Sequence, residues 1–256
     1  MQYIIQCITR FVPRHIMQRF AMFFLKIIGI FYRGNNFYDP ISKTSYRKML
    51  PYGRQVVRKN ALAPNSGSLE RHRVIWLYLQ NETSFFEAPL KFLHIAPEFC
   101  FLKKFKKLKN LSYVTGDLES PWADVKLDVR EMPFSENTFD ATMCNHVFEH
   151  IDDDKKAMSE FLRVLKPGGW GIFMVPIKWD QETIEDPTIT DPKERERLFG
   201  QRDHVRYYGS DYPDRLRSVG FEVTVIDYYH KLDQQLVNKY ALLPDEKIIF
   251  CKKPVN

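Results

Sequence analysis

Polar side chains end several apolar segments of this chain. Asp117 ends "LSYVTGD", Asp128 ends "DVKLD" and Asn145 ends "FDATMCN". If these segments are parallel strands of one sheet, the three side chains lie at its carboxyl edge. A carboxylate there can accept hydrogen bonds from both hydroxyls of a ribose, and an acid after the next strand can meet an adenine amino group. The pattern predicts a nucleoside site, with Asn145 lining the pocket.

The first strand-to-helix turn of this predicted sheet has an unusual composition. The segment "FLHIAPEFC", residues 92–100, runs from an apolar strand through Ala96 and Glu98 without a glycine. Glycines in such a turn let the backbone approach a phosphate closely. Their absence favours a ligand without a pyrophosphate, which the backbone amides and Glu98 would contact.

Histidines supply candidates for acid–base chemistry. His146 and His150 follow the segment that ends at Asn145, and His204 lies in the long polar segment 178–210. A neutral imidazole is suited to accepting a proton from a substrate. The alternatives are structural: His150 at the start of a helix or in a core hydrogen bond, and His204 with Arg206 in a salt bridge to Asp203 or Asp211.

Strand and helix patterns alternate over residues 91–253, which predicts an α/β fold with a doubly wound parallel sheet. A helix is expected from Asp153, ended by "KPGG" at 166–169. The predicted strands are 91–96, 111–117, 124–128, 139–145 and 170–176, followed by "FEVTVIDYY" and "KIIFCKK".

The block at 128–177, "DVREMPFSENTFDATMCNHVFEHIDDDKKAMSEFLRVLKPGGWGIFMVPI", resembles class I S-adenosylmethionine-dependent methyltransferases of type 11. The resemblance rests on "MPF", "FD", "EHI.D" and "LKPGG" in this order. It implies a Rossmann-like, seven-stranded, mostly parallel sheet with helices on both faces. The first motif of that family is acid-x-Gly-x-Gly-x-Gly, in place of which this chain has "HIAPE" from His94 to Glu98.

The resemblance also implies roles for the residues at the edge. Asp117 would hold the ribose, Asp128 and Val129 the adenine side, and Asn145 the methionine side. From the residues of the first turn alone, we expect the Glu98 carboxylate to meet the ligand's ammonium. We expect S-adenosylmethionine as the cofactor. The predicted cofactor-binding residues are His94, Ala96, Glu98, Asp117, Leu118, Asp128, Val129 and Asn145; the catalytic candidates are His146, His150 and His204.

A finer resemblance is to bacterial methyltransferases that carry a small N-terminal zinc ribbon with two C-P-x-C knuckles. The matching segments here are "DPIS" at 39–42 and "APNS" at 63–66, which lack every thiol. One carboxylate and hydroxyls do not make a zinc site, and the 4 cysteines of the chain show no metal-binding spacing. We therefore expect no metal, and buried, reduced thiols.

The domain organisation follows from these patterns: a basic apolar arm at 1–36, a zinc-ribbon-like remnant with a helix at 37–90, and a methyltransferase domain at 91–256. The arm contains "FAMFFLKIIGIFY" at 20–32, interleaved and flanked by basic residues. It is too short to span a membrane but suits a helix at the membrane interface. The alternatives are a helix packed on the domain or a partner-binding arm.

The expected function is methyl transfer to a small-molecule, lipid-linked or glycan acceptor. The expected location is cytoplasmic, with peripheral contact to the inner membrane face through residues 1–34. The net charge of +6 and the basic stretch 103–109 keep a nucleic-acid methyltransferase as one alternative, disfavoured because no Asn-Pro-Pro-Tyr-type motif or nucleic-acid module is present. The other alternative is a catalytically degenerate scaffold at a membrane.

Overall fold

The structure is a computed structural model that describes residues 14–53 and 56–255, with side chains from residue 20 onward. The start of the predicted basic arm, including Cys7 and Arg10, lies outside the described residues. The other cysteines, Cys100, Cys144 and Cys251, are buried free thiols, as predicted.

The N-terminal part consists of one helix, two antiparallel hairpins and a second helix. Hydrogen bonds pair β1 with β2 and β3 with β4. These elements are α1 (Arg14–Phe31), β1 (Arg33–Asp39), β2 (Thr44–Tyr46), β3 (Leu50–Tyr52), β4 (Arg58–Leu62) and α2 (Glu70–Glu82).

A buried carboxylate organises the first hairpin at the "DPIS" segment. Asp39 is fully buried. It accepts hydrogen bonds from the amides of Ile41 and Ser42, at 3.2 and 3.1 Å, and from the Ser68 hydroxyl at 3.0 Å. Hydrogen bonds thus join this turn to the chain just after "APNS".

The remaining strands and helices alternate along the chain. The strands are β5 (Leu90–Ile95), β6 (Leu111–Asp117), β7 (Val125–Lys126), β8 (Phe139–Cys144), β9 (Leu165–Ile172), β10 (Ile177–Lys178), β11 (Ile184–Glu185), β12 (Arg206–Gly209), β13 (Glu222–Ile226) and β14 (Ile248–Lys252). The helices are α3 (Phe99–Phe105), α4 (Asp154–Val164), α5 (Pro192–Phe199), α6 (Tyr212–Ser218) and α7 (Gln234–Tyr240), with a short 3-10 turn at Phe148–His150.

Seven strands form the central sheet in the order β13-β14-β9-β8-β5-β6-β7. Strands β5 to β9 run parallel, and β14 is antiparallel to both its neighbours. The predicted doubly wound, mostly parallel sheet is therefore confirmed. Because the chain moves outward from β5 to β7 and then returns to the other side of β5 with β8, the sheet reverses direction between β5 and β8.

The "KPGG" segment does not end a helix as predicted. The helix α4 ends at Val164, and β9 already begins at Leu165. The register with β8 shifts between Phe139 and Ala141, so the Pro-Gly-Gly stretch is absorbed as an irregularity of the strand. The Gly168 amide donates to the Lys253 carbonyl at 2.9 Å and the Lys253 amide donates to the Gly169 carbonyl at 2.8 Å, which holds this irregular stretch against the C-terminal segment.

Apolar side chains cover both faces of the sheet because successive residues of a strand point to opposite sides. Phe92 of β5 packs with α2, α3 and α7 in one buried cluster. Its neighbour Leu93 packs with α4 and α6 in a second cluster. Helices on both faces therefore fix the sheet, and the edge where its parallel strands end is left to the loops.

The helix α1 packs through a narrow strip. A Cβ added at Gly29 would lie 3.2 Å from Pro64 Cβ, so the helix backbone approaches that turn closely. The outer face is apolar: Phe23 and Phe24 are each 59% exposed, and Phe31 is 70% exposed. No helix within the described part of the chain is both long and apolar enough to cross a membrane.

Candidate functional site

Strand register places the predicted residues side by side. Ile95, the last residue of β5, pairs with Gly116 of β6 on one side and with Cys144 of β8 on the other. The residues that follow these three are Ala96, Asp117 and Asn145. They form a row at the carboxyl edge, where the sheet reverses direction and where ligands bind in doubly wound folds.

The glycine-free turn keeps a backbone conformation that glycine adopts more readily. Ala96 has φ +48°, in the left-handed region, and its amide donates to the Gly116 carbonyl at 2.8 Å. This conformation costs an L-residue roughly 1–2 kcal/mol. The chain therefore turns sharply out of β5 without glycine, and α3 begins directly after Glu98.

Glu98 links the ends of β5 and β8. His94 Nε2 lies 2.6 Å from Glu98 Oε2, and the Asn145 side-chain amide donates to Oε1 at 2.9 Å. Burial acts to raise the pKa of Glu98, but the hydrogen bonds from His94 and Asn145 and the nearby imidazoles lower it to about 2. Glu98 is therefore a carboxylate held at the edge of the sheet.

His94, on β5, holds the Glu98 carboxylate in position. Its ring is fully buried, and Nδ1 lies 2.8 Å from the Tyr113 hydroxyl. Burial, together with the negative charge of Glu98, raises the pKa of Tyr113, so the hydroxyl keeps its proton. The Glu98 carboxylate can only accept, so His94 donates to it from Nε2.

The other predicted cofactor residues differ in exposure. Asp117 Oδ1 accepts from the amides of Glu119 and Ser120 at 2.8 and 2.7 Å, and Leu118 is 56% exposed. The Asp128 carboxylate pairs with Arg130 at 2.7 Å, and this hydrogen bonding lowers its pKa.

The Val129 side chain is buried in the core and lies away from the surface of the edge. The backbone of this segment, rather than the Val129 side chain, is therefore the part that a ligand could contact.

The structure brings the predicted histidines together around a residue that the sequence did not single out, Glu149. His146 Nδ1 lies 3.3 Å from Glu149 Oε1. The rings of His150 and His204 are in edge-to-face contact, with centroids 4.7 Å apart. Burial raises the pKa of Glu149, but the hydrogen bond and charge of His146 outweigh it and lower the value.

A further histidine of the site, His72, was also missed by the sequence reasoning. It lies on α2, and its Nε2 is 3.9 Å from Glu98 Oε1. Its Nδ1 accepts from the Leu69 amide at 3.0 Å, and burial holds its pKa well below the usual value. The only available signal was a histidine within an apolar helical pattern, which is more often a core residue.

The residues present fit an adenosyl amino acid. The buried Nε2 atoms of His72 and His146 have no hydrogen-bond partner among the described residues. Glu98 supplies negative charge beside them, and Asp117 supplies a carboxylate at the end of the next strand. This edge therefore offers the acceptors for ribose hydroxyls and an ammonium, together with unsatisfied imidazole nitrogens for a polar ligand.

Comparison with known proteins agrees with this geometry. Residues 93–173, which run from β5 to the end of β9, match a family model described as a methyltransferase domain. The crystal structure of the [4+2]-cyclase SpnF aligns with a TM-score of 0.51 and 15% identity, over 74% of this chain and 84% of that one. This likeness concerns the fold alone, since one fold hosts different activities.

Curated relatives match over shorter stretches. The ubiquinone/menaquinone biosynthesis C-methyltransferase UbiE of Klebsiella pneumoniae is 28% identical over 142 residues, which cover 49% of this chain and 53% of that protein. An uncharacterized 37.1 kDa protein in a transposon of Streptomyces fradiae is 33% identical over 70 residues, 27% of this chain and 20% of that protein. The chain thus spans about half or less of the length of these relatives.

The matched model covers the strands whose ends form the row of Ala96, Asp117 and Asn145. The seven-stranded, mostly parallel sheet is the one that the sequence block at 128–177 led us to expect. Residues 93–173 thus match a methyltransferase domain, and the sheet that contains them has the fold expected for it.

Proposed function

We propose that this protein transfers a methyl group from S-adenosylmethionine to a small-molecule acceptor. The observation that carries the proposal is the row of Ala96, Asp117 and Asn145 at the point where the sheet reverses direction. When bound, the cofactor supplies an electrophilic methyl group on a sulfonium, and transfer to a nucleophilic atom of the acceptor leaves S-adenosylhomocysteine.

The chain's own residues divide the binding task. The amides of Glu119 and Ser120 both bond to Asp117 Oδ1. Among the described residues, this leaves Asp117 Oδ2 as the acceptor for ribose hydroxyls. Leu118 and the backbone of Asp128–Val129 contact the adenine. Glu98, fixed by His94 and Asn145, places its negative charge against the ligand's ammonium. His94 is thus a positioning residue.

His146, His150 and His204 are proposed to contact the acceptor. They cluster on the loop after β8 and on the segment before β12, beside the row at the edge. A direct methyl displacement obtains much of its rate from alignment and exclusion of water. Half-buried and buried imidazoles held by neighbours suit that alignment.

The acceptor class receives support from two features. Several relatives are named ubiquinone/menaquinone biosynthesis C-methyltransferases, which favours a quinone precursor as the acceptor. The exposed phenylalanines of α1 favour the same class, since an apolar helix face with flanking basic residues suits contact with a membrane surface.

The basic stretch at 103–109 gives less support to a nucleic-acid acceptor. Lys106 pairs with Asp124 at 3.2 Å, and Lys103 lies 5.1 Å from the ring centre of Phe99. Part of this charge is therefore engaged by the protein itself and is less available to a phosphate backbone.

Isothermal titration of the full chain with S-adenosylhomocysteine tests the proposal. We expect saturable binding, weakened at least about tenfold by Asp117→Asn because a ribose acceptor is lost. Asp214→Asn is the matched control, since Asp214 is exposed on α6 and pairs with Arg217. Absence of binding at millimolar ligand, in folded protein, would favour the scaffold alternative.

A further inference from the structure

Glu149, His150 and His204 place one carboxylate and two imidazoles in a single cluster. One ligand atom from each side chain lies within 4.8 Å of the other two. We propose that these three residues bind a divalent transition-metal ion such as Zn²⁺, Co²⁺ or Mn²⁺. Two imidazoles and a carboxylate are a donor set that such ions accept, and three protein ligands leave coordination positions open.

Two buried polar atoms of this cluster lack hydrogen-bond partners among the described residues. Glu149 and His204 are only 2% and 3% exposed. Glu149 Oε2 and His204 Nε2 have no hydrogen-bond partner in the described part of the chain. Leaving a buried polar atom unpaired costs about 1–3 kcal/mol, and more when the group is charged. A cation between these atoms would satisfy both.

The hydrogen bonds on the far side of each ring set the tautomer that a metal ion needs. His204 Nδ1 lies 2.9 Å from the Phe199 carbonyl, which can only accept, so Nδ1 carries the proton. His150 Nδ1 lies 3.3 Å from both the carbonyl and the carboxylate of Asp203. In the neutral form of each ring, Nε2 therefore carries the lone pair, which is the arrangement in which metal-binding histidines are usually held.

The backbone around the cluster is fixed before any ligand binds. The Val205 amide donates to the Glu149 carbonyl at 2.9 Å. The buried Arg206 guanidinium donates to the carbonyls of Phe148 and Asp152 at 3.0 and 2.7 Å. These bonds join the loop after β8 to the segment before β12, so ligands from distant parts of the sequence are held in one place.

Ordinary packing explains only part of the arrangement. His146 satisfies Glu149 Oε1 at 3.3 Å, and the edge-to-face contact of His150 with His204 is a common aromatic pairing. Neither contact reaches Oε2 of Glu149 or Nε2 of His204. Our expectation of no metal rested on the missing thiols of "DPIS" and "APNS" and on cysteine spacing, and it did not consider this cluster of imidazoles and a carboxylate.

The open coordination positions have a consequence for the acceptor. An acceptor oxygen bound to the ion would be polarised and fixed beside the row at the carboxyl edge. This consequence rests on the proposed methyl transfer, whereas binding of the ion does not.

Cobalt titration of the full chain, after removal of metal with a chelator, tests the proposal. We expect one equivalent of Co²⁺ to bind with visible ligand-field bands and Zn²⁺ to displace it. Loss of a residue that only orients a ligand weakens metal binding 10- to 100-fold, so Glu149→Gln and His204→Asn should weaken it at least as much. The matched control is His230→Asn, because His230 is 65% exposed and contacts Asp227.

Equal Co²⁺ affinity in the wild type and Glu149→Gln, or no binding at millimolar metal, would overturn the proposal. If a variant fails to fold, crystals of the wild type soaked in Mn²⁺ decide: an anomalous peak between Glu149 and His204 supports the site, and its absence there contradicts it. Titration of the metal-free protein with S-adenosylhomocysteine reports separately on the proposed function.

Discussion

Glu98 lies in the glycine-free turn after β5, and its contribution to the stability of the protein can be measured. Its carboxylate is faced by His94 from β5, by His72 from α2 and by the Asn145 amide after β8. Its pKa in the folded protein is about 2, against an ordinary value of 4.5. Since the folded state binds the proton less tightly than the unfolded state, the stabilisation is complete above about pH 4.5 and is lost as the pH falls toward 2.

We therefore expect Glu98→Gln to lower the free energy of unfolding by about 2 to 3 kcal/mol at pH 7. The difference from the wild type should shrink as the pH falls below about 4.5. Urea unfolding at several pH values measures this difference. Because the Glu98 charge also acts on the pKa of His72, both proteins are compared in a His72→Gln background, where that titration is absent. A difference that does not change with pH would contradict the role assigned to Glu98.

The residues of the candidate site differ in whether the sequence could predict them. Asp117 and Asn145 were predictable because each ends an apolar run, and strand ends share an edge in a parallel sheet. Glu149 and His72 were not, since their significance arises only from contacts with His204 and Glu98 on other elements. Val129 was placed by the resemblance, but its side chain is buried in the core.

At the scale of elements, Arg206 fixes the loop after β8. Its guanidinium donates to three backbone carbonyls, those of Phe148, Ile151 and Asp152, and to the Glu185 carboxylate. It is 4% exposed. A lysine has one donor nitrogen and cannot reproduce this planar set of bonds.

Arg206→Lys should therefore destabilise the protein by about 2 to 4 kcal/mol, because buried carbonyls lose their donors. Arg202→Lys is the control, since Arg202 is 65% exposed and pairs with Glu196, and we expect a change within about 0.5 kcal/mol. Thermal and urea unfolding measure both variants. Equal losses of stability in the two variants would show that Arg206 does not hold the loop.

Elements were predictable where their pattern was local. The helix after Asp153 and the strand pattern of β5, β6 and β8 follow from apolar periodicity and a capping residue, and both are observed. The "KPGG" segment failed because strand pairing with the C-terminal segment overrode its local preference for a helix end.

For the whole molecule, the seven-stranded, mostly parallel sheet was implied by the resemblance, whereas the position of the N-terminal part against the sheet domain was not. The fully buried Arg73 of α2 donates to the carbonyls of Tyr240 and Ala241, at 2.6 and 2.9 Å, across 167 residues of sequence. No local pattern reports such a contact. The division of the chain at residues 36 and 90 stays a prediction.

We propose that the whole molecule contacts a membrane surface through the outer face of α1. Replacing Phe23 and Phe24 by serine removes two half-exposed rings and should weaken binding to phosphatidylglycerol-containing vesicles at least about tenfold, because buried apolar area supplies much of the affinity. The control replaces Val56 and Val57, exposed outside this helix, by serine and should bind as the wild type does. Vesicle co-sedimentation measures all three proteins. Wild-type binding by the phenylalanine variant would instead assign α1 to packing or to a protein partner.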